Sequence, residues 1–359
     1  MEKTAYLILE NGKVFKGKSF GAQGAVTGEV VFTTAMTGYL ETLTDPSYYG
    51  QIVVQTFPLI GNYGVIPEDF ESKGPALKGY IVREVCEHPS NFRCDGKLSD
   101  FLESRGIIGL YGIDTRQLTR IIREHGVMNG RITTDPNEAD MEEIRSYFVK
   151  DAVDSVSTGE KYVLSPEGEI KKKVVLWDFG AKMNIERELV KRGCEVTVVP
   201  GRTTAEEILA LSPDGIMLSN GPGDPAENVG IIAELKKVAD SKTPIFGICL
   251  GHQLLALAEG GKTVKLKYGH RGANQPVKNL ANDRIFVSSQ NHGYAVDTAR
   301  LPENAVMSYE NANDGTCEGL RYLDIPAYTV QFHPEACGGP HDTNFLFDEF
   351  IALMDKNKA

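Results

Sequence analysis

Short apolar runs alternate with segments of helical apolar spacing between residues 174 and 258. The predicted elements are, in order, strand Val174–Trp177, helix 181–192, strand Glu195–Val199, helix Ala205–Leu211, strand Gly215–Leu218, helix Ile231–Ala239 and a strand ending before Cys249. Strands joined by crossover helices run parallel, because each helix carries the chain back to the same edge of the sheet. The alternation therefore predicts an α/β fold, with a mostly parallel, doubly wound sheet covered by helices on both faces.

The pattern changes after Gly260, where shorter apolar runs are separated by turn residues. The clearest predicted strands are Arg284–Ser288, Ala305–Ser308 and Ala327–Gln331, and a closing helix is predicted from about Thr343 to Met354. We expect antiparallel additions at the end of the parallel sheet. Ligands of such sheets bind beyond the carboxyl ends of the parallel strands.

The chain has 359 residues, more than one domain usually contains, so two domains are expected. Residues 1–150 are rich in Gly, Thr and Tyr, with early β-type runs and a predicted helix from Thr115 to Glu124. Residues 151–172 are polar and contain several Ser, Gly and Pro residues, which is typical of a linker. We predict a mixed α+β N-terminal domain over 1–150, a linker over 151–172 and the α/β domain over 173–359.

Charge and cysteine usage limit the function classes. A formal net charge of −11 disfavours a nucleic-acid-binding protein, whose binding surface is basic. No apolar run is long enough for a signal-peptide core or a membrane span, so a cytoplasmic protein without membrane partners is expected. The six cysteines are scattered without a CxxC pair, which predicts neither disulfides nor a zinc ribbon.

Cys249 lies in the segment GICLGHQ, directly after the apolar run Pro244–Phe246 and before a helical pattern. A glycine on each side of a strand-to-helix junction is typical of a sharp turn that carries the intervening side chain out of the packed layers. The positive end of the helix favours a thiolate there. Cys249 is therefore a candidate nucleophile, and a buried structural cysteine is the alternative that a partner histidine would disfavour.

A histidine and a carboxylate follow the predicted strand Ala327–Gln331. His333 and Glu335 stand at i and i+2, separated by a proline that restricts the backbone. Such a pair can supply a base and the group that orients it. A surface turn is the alternative for an isolated His-Pro-Glu, but a cysteine elbow on the same sheet favours the catalytic interpretation.

A glycine-rich loop, Ser219–Pro225, follows the predicted strand Gly215–Leu218. Its two glycines leave backbone N–H groups open, so the loop can stabilise an oxyanion together with the N–H of Leu250. A phosphate-binding loop is the competing interpretation, but no GxGxxG and no Gly-Lys-Ser/Thr is present.

Two other roles for the polar residues near Cys249 are less favoured. His252 falls on the first turn of the helix and is interpreted as structural, because it points away from the place of a catalytic partner. A zinc site built from Cys249, His333, Cys337 and His341 has a ligand spacing that fits no metal pattern, so no metal is predicted.

Three blocks of the sequence resemble the signature of class I glutamine amidotransferases. They are GICLGHQ at Gly247–Gln253, SNGPGDP at Ser219–Pro225 and QFHPE at Gln331–Glu335. Further blocks are similar to the small subunit of carbamoyl phosphate synthetase, so that the resemblance covers nearly the whole chain. These blocks are Met36–Tyr39, Thr44–Tyr48, Gly112–Arg116, Trp177–Lys182, Gln290–Tyr294 and Pro334–Pro340.

The resemblance implies glutaminase chemistry. Cys249 would form a γ-glutamyl thioester, His333 would act as acid and then base, and Glu335 would orient the imidazole. The implied glutamine contacts are Ser47, Gly221, Gly223, Leu250, Gln253, Asn291, Gly293 and Tyr294. Tyr294 stands where this family has phenylalanine, a departure that bears only on that one contact.

The resemblance also implies a partner. Nothing in the sequence resembles an ATP-grasp site, so a large synthetase subunit would use the ammonia, with bicarbonate and ATP, to make carbamoyl phosphate for arginine and pyrimidine synthesis. ATP and Mg²⁺ are expected on that subunit and no cofactor on this chain. The alternatives are a stand-alone γ-glutamyl hydrolase or cysteine peptidase, the glutaminase subunit of another amidotransferase, and a non-catalytic scaffolding module with an inert Cys249.

Overall fold

The computed structural model describes residues 3–357, apart from the side chain of Glu138. Contacts within the chain form two compact units, one that ends at Lys150 and one that begins at Asp151. Among the residues described, no helix combines the length and apolar character that crossing a membrane requires.

The first unit is built around a closed β-barrel. Its strands are β1 (Thr4–Leu9), β2 (Val14–Gly21), β3 (Val26–Thr33), β4 (Gln51–Gln55), β5 (Leu59–Ile60), β6 (Gly79–Ile81), β7 (Glu84–Val85), β8 (Ile108–Tyr111) and β9 (Met128–Thr133). Seven strands close in the order β1-β2-β8-β6-β4-β3-β9, and β5 pairs with β7 separately. Closure leaves no unpaired edge in the barrel, because β9 pairs with β1.

Four helices accompany the barrel: α1 (Tyr39–Thr44), α2 (Leu98–Ser104), α3 (Thr115–His125) and α4 (Met141–Ser146). Helix α3 begins at the predicted residue, because the Asp114 side chain accepts a hydrogen bond from the backbone N–H of Gln117. Leu118 and Ile122, four residues apart, are its buried apolar residues. The expected mixed α+β character is confirmed, whereas barrel closure had no local signal in the sequence.

The second unit contains a single ten-stranded sheet. Its strands are β10 (Tyr162–Leu164), β11 (Lys172–Asp178), β12 (Cys194–Pro200), β13 (Gly215–Leu218), β14 (Ile245–Ile248), β15 (Thr263–Asn279), β16 (Ile285–Val296), β17 (Ala305–Asn311), β18 (Cys317–Tyr322) and β19 (Ala327–Val330). The order is β10-β12-β11-β13-β14-β19-β18-β17-β15-β16. The five strands from β12 to β19 in this order are parallel, and the others pair antiparallel. The predicted sheet with antiparallel additions is confirmed.

Helices cover both faces of the parallel region. They are α5 (Ala152–Val156), α6 (Met183–Lys191), α7 (Ala205–Ala210), α8 (Val229–Asp240), α9 (Leu250–Ala258) and α10 (Leu346–Asn357). Alternate residues of β11 enter different hydrophobic clusters. Val175 and Trp177 pack in the cluster that includes α8 and α9, while Val174 and Leu176 pack in the cluster that includes α6 and α10. This two-sided burial explains the continuous apolar runs of the parallel strands.

Two regions of the second unit differ from the expectation. The segment expected to be a linker, 151–172, contains α5 and the edge strand β10, and Val153 is buried in a core cluster. The region after Gly260 holds a 17-residue strand, β15, which pairs with β16 and contains two register irregularities. Polar and charged residues at partly exposed positions of β15 obscure its strand pattern in the sequence.

Strands β14 and β19 are parallel neighbours, with Ile248 opposite Val330. The carboxyl ends of both strands therefore lie at the same edge of the sheet. The backbone N–H of Cys249 donates to the carbonyl of Val330 at 2.8 Å. Cys249 is thus the first residue after β14. The segment from Gln331 to Glu335 follows the neighbouring strand β19.

Candidate active site

Cys249 occupies the turn between β14 and α9, with φ 52° and ψ −100°. A positive φ is unusual for a residue with a side chain and is characteristic of strained functional positions. A Cβ atom on Gly251 would lie 2.6 Å from the Leu218 carbonyl oxygen, and one on Gly247 would lie 2.9 Å from Cγ2 of Thr329. The glycines are therefore required by close packing, as the predicted elbow implies.

The sulfur of Cys249 is buried, with the whole residue 2 % exposed. Cys249 is the N-cap residue of α9, where the helix dipole favours a negative charge. Its thiol donates to the carbonyl of Asn291 at 3.7 Å, and Nε2 of Gln331 donates to the sulfur at 3.5 Å. The Gln331 donor and the positive end of the helix are the two features here that stabilise a thiolate.

His333 and Glu335 form a buried pair beyond the end of β19. The Nδ1 atom of His333 lies 2.6 Å from Oε1 of Glu335, and the side chains are 1 % and 0 % exposed. An ionised carboxylate only accepts, so Nδ1 carries a proton and donates it to Glu335. Among the residues described, Nε2 has no hydrogen-bond partner. Glu335 thus holds the His333 ring in an orientation that leaves Nε2 available for proton transfer.

Lys182, to which no local sequence pattern assigns a role, lies beside this pair. Its Nζ atom is 3.4 Å from Oε1 of Glu335, and its side chain is 9 % exposed. Burial alone would raise the pKa of Glu335, but His333 and Lys182 outweigh it and lower the pKa to about 2. Glu335 is therefore ionised at neutral pH.

The glycine-rich loop Ser219–Pro225 packs against the start of α9. The carbonyl of Ser219 accepts from the N–H of Gly251 at 3.0 Å. A Cβ on Gly221 would lie 2.2 Å from the Phe179 carbonyl oxygen and 2.7 Å from Cδ2 of Leu250. Gly223 has φ +89°, a conformation that favours glycine.

Three backbone amides of this region lack an acceptor. Within residues 3–357, the N–H groups of Gly221, Gly223 and Leu250 have no hydrogen-bond partner. Such open amides, at a loop and at the first residue of a helix, are suited to binding an anion. They are the donors expected for an oxyanion near Cys249.

Strand β16 brings further predicted residues to the same place. Asn291 contacts the sulfur through its carbonyl, and the carbonyl of Tyr294 accepts from Nε2 of Gln253 at 2.7 Å. Gly293 lies against Arg271, since a Cβ there would be 3.2 Å from an Nη2 atom. The ring of Tyr294 faces the Lys265 ammonium, 5.8 Å from the ring centroid. The structure therefore joins Gln253, Asn291 and Tyr294 to the surroundings of Cys249.

Ser47 belongs to the first unit. It is the middle residue of a short 3₁₀ turn, Pro46–Tyr48, and its N–H donates to Oδ1 of Asp45 at 2.9 Å. Its role as a glutamine contact stays a prediction.

His252 is completely buried on α9, and its Nδ1 atom lies 2.7 Å from Oγ1 of Thr329. Burial lowers the pKa of His252 to about 3, so the imidazole is neutral at physiological pH. This environment agrees with the structural role expected for His252.

The zinc alternative finds no support in the geometry. Across residues 3–357, the one group with ligand atoms close enough for a metal is His270, His292 and Glu318, which contains none of the four residues considered. His270 instead lies between two carboxylates, with Nε2 2.9 Å from Asp314 and Nδ1 3.5 Å from Glu318. Both ring nitrogens of His270 are thus engaged by carboxyl groups.

Comparisons with known proteins agree with the two-unit architecture. The family model described as carbamoyl-phosphate synthase small chain, CPSase domain, matches residues 7–132, and that of class I glutamine amidotransferases matches residues 175–353. A carbamoyl phosphate synthase small chain from Clostridium perfringens (strain 13 / Type A) is 55 % identical over 349 residues, covering 97 % of this chain and 98 % of the relative. One from Bacillus cereus (strain ATCC 10987 / NRS 248) is 54 % identical over 357 residues, covering 98 % and 96 %.

Proposed function

Because the chain belongs to the carbamoyl phosphate synthase small chain family, we propose that it is the glutaminase subunit of a glutamine-dependent carbamoyl phosphate synthetase. The observation that carries this proposal is the elbow cysteine at the end of β14, next to the end of β19, after which the histidine–carboxylate pair follows. Glutamine is the substrate, and glutamate and ammonia are the products.

The reaction begins at the sulfur of Cys249. The thiolate attacks the side-chain amide carbon of glutamine, so that a C–S bond forms and the carbonyl electrons move to oxygen. The open N–H groups of Leu250, Gly221 and Gly223 stabilise the oxyanion. His333, which takes the proton of the Cys249 thiol at Nε2 as the thiolate forms, then delivers this proton to the amide nitrogen, the C–N bond breaks and ammonia leaves.

Hydrolysis of the γ-glutamyl thioester completes the cycle. His333 accepts a proton from water at Nε2, the resulting hydroxide adds to the thioester carbon, and the C–S bond breaks to release glutamate and the thiolate. The ionised Glu335 stabilises the imidazolium through Nδ1 in both halves of the cycle. The glutamine itself would be held by Ser47, Gly221, Gly223, Leu250, Gln253, Asn291, Gly293 and Tyr294.

Ammonia has to reach a second active site to be useful. We propose that a large ATP-dependent subunit receives it by an internal route, with the first unit making most of the contact with that partner. ATP and Mg²⁺ would act on the large subunit, and this chain would need no cofactor. The carbamoyl phosphate made from bicarbonate would then serve arginine and pyrimidine synthesis.

The proposal is tested by measuring glutamate release with and without a large synthetase subunit. We expect glutamine hydrolysis that increases when the subunit and its ATP and bicarbonate are added, together with carbamoyl phosphate formation. Cleavage of γ-glutamyl peptides by the chain alone, without stimulation by the subunit, would instead identify a stand-alone hydrolase. No labelling of Cys249 by a glutamine-like diazo-ketone would favour a non-catalytic module.

A further inference from the structure

Gln331 is a fully buried polar residue that the catalytic cycle above does not use. It follows β19 directly, two residues before His333, and its backbone N–H donates to the carbonyl of Glu318 at 2.9 Å. Its side chain reaches the sulfur of Cys249, with Nε2 3.5 Å away. The effect of this carboxamide on the sulfur depends on its orientation, because the amide oxygen accepts hydrogen bonds and the NH₂ group donates them.

The neighbouring groups determine the orientation of this amide. The carbonyl of Tyr294 can only accept, so the Gln253 atom 2.7 Å from it must be the NH₂ group. The same NH₂ group lies 2.8 Å from the Gln331 side chain, which must present its oxygen there. The Gln331 NH₂ group is consequently the end that faces Cys249.

We propose that Gln331 is a positioning residue that holds the Cys249 thiolate through a hydrogen bond from its side-chain NH₂ group. The Tyr294 carbonyl and Gln253 keep that amide from flipping, so three residues act as one chain of donors and acceptors. The assignment rests on the proposed glutaminase function for its catalytic meaning, but the hydrogen bond itself can be tested without glutamine.

A hydrogen bond to the charged form of a group favours that form. Removal of the donor therefore destabilises the thiolate relative to the thiol. Gln331→Met keeps the length and burial of the side chain but removes the NH₂ group. We expect the pH midpoint for Cys249 alkylation to rise by about one unit, which lowers the rate about tenfold at a pH well below both midpoints.

The experiment uses the full-length chain and iodoacetamide, which reacts with the thiolate. Cleavage after Lys242 and Lys262 yields the peptide 243–262, in which Cys249 is the one cysteine. Its alkylated fraction, measured by mass spectrometry over a pH series, reports this thiol separately from the other five. Circular dichroism verifies that each variant is folded.

Two further variants make the test specific. Gln253→Met leaves the Gln331 amide in place but frees it to turn, so we expect a smaller upward shift than in Gln331→Met. Gln290→Met is the matched control, because Gln290 is also buried and hydrogen-bonds Ser288 and His292. Its alkylation midpoint should equal that of the wild type.

A folded Gln331→Met variant with the wild-type midpoint would overturn the assignment. If Gln331→Met does not fold, an unshifted Gln253→Met does the same. Glutamine hydrolysis by the wild-type chain with the partner subunit is measured in parallel. If the variants show the alkylation shifts but the wild-type chain releases no glutamate, the glutaminase proposal alone is refuted.

Discussion

The ammonium of Lys182 lies 3.4 Å from the carboxylate of Glu335, the same oxygen that accepts from His333. Oε1 of Glu335 therefore contacts both the Lys182 ammonium, which lies in the β11–α6 connection, and the His333 imidazole, which follows β19. Because both side chains are largely buried, this charge pair is weakly screened by solvent. It links the protonation state of the site to a residue distant in sequence.

Lys182→Met should weaken catalysis chiefly at acid pH. Loss of the ammonium raises the pKa of Glu335, so the carboxylate that orients His333 is protonated at a higher pH. We expect the acid limb of the pH–kcat profile for glutamine hydrolysis to move to higher pH, while kcat at neutral pH stays close to the wild-type value because Glu335 is still ionised there. Lys182→Arg keeps the charge and should restore most of the wild-type profile, whereas equal losses in both variants would contradict this role.

Cys249→Ser should abolish glutamine-dependent synthesis by the complex while ammonia-dependent synthesis remains. A serine hydroxyl is not ionised at neutral pH, so we expect kcat for glutamine to fall at least about 1000-fold. Cys317→Ala is the matched control, because Cys317 is buried in the same unit, where burial raises the pKa of its thiol to about 12. Its glutaminase rate should stay within about twofold of wild type, and parallel loss of both synthesis reactions in Cys249→Ser would refute the assignment.

His333→Ala should cost more activity than Glu335→Ala. The imidazole moves the proton, whereas the carboxylate orients and stabilises it, so we expect kcat losses of about 10⁴-fold and about 10²-fold. Single-turnover measurement of glutamate release with the large subunit present separates these effects from partner binding. Equal losses would argue against this division of roles.

Burial of His252 should make the second unit less stable in acid. The folded state binds a proton at about pH 3 and the unfolded state near 6.5, so the unfolded state binds more protons between these values. The contribution of His252 to stability is therefore present above pH 6.5 and declines by about 1.4 kcal/mol per pH unit as the pH falls through that window.

The test uses urea unfolding of wild type and His252→Gln, followed by fluorescence of Trp177. Trp177 is the one tryptophan in the chain and is fully buried in β11, so it reports the second unit. The stability difference between the two proteins should shrink between pH 6 and pH 4. A difference that stays constant over this range would show that His252 is not the group responsible.

Gly221→Ala should disturb the proposed oxyanion site. A methyl group would lie 2.2 Å from a backbone carbonyl, so the loop has to move away from α9. We expect a fall of about 100-fold in glutaminase kcat. Gly230→Ala, on α8 with no atom within 4 Å of the added carbon, should keep wild-type activity and stabilise the unit by up to about 1 kcal/mol.

Local sequence patterns determined much of the second unit. The alternating apolar runs located strands β11 to β14 and the helices between them, because burial on both faces imposes a continuous apolar pattern. The elbow at Cys249 was also predicted from a local pattern, the glycine two residues before it and the glycine two residues after it. The structure shows that a side chain at either glycine would collide with Thr329 or Leu218. His333 and Glu335 were predicted together because two residues of spacing suffice to join them.

Only the tertiary structure decided which distant groups meet. Lys182 reaches Glu335, and Gln253 aligns Gln331 toward Cys249, across sequence separations for which no local pattern exists. Barrel closure and the β15–β16 pairing likewise depend on strand partners and registers that are set by packing of the whole unit. The sequence thus predicted the candidate reactive residues, whereas the fold determined the charge state of Glu335 and the orientation of His333, because these depend on burial and on neighbours that only folding supplies.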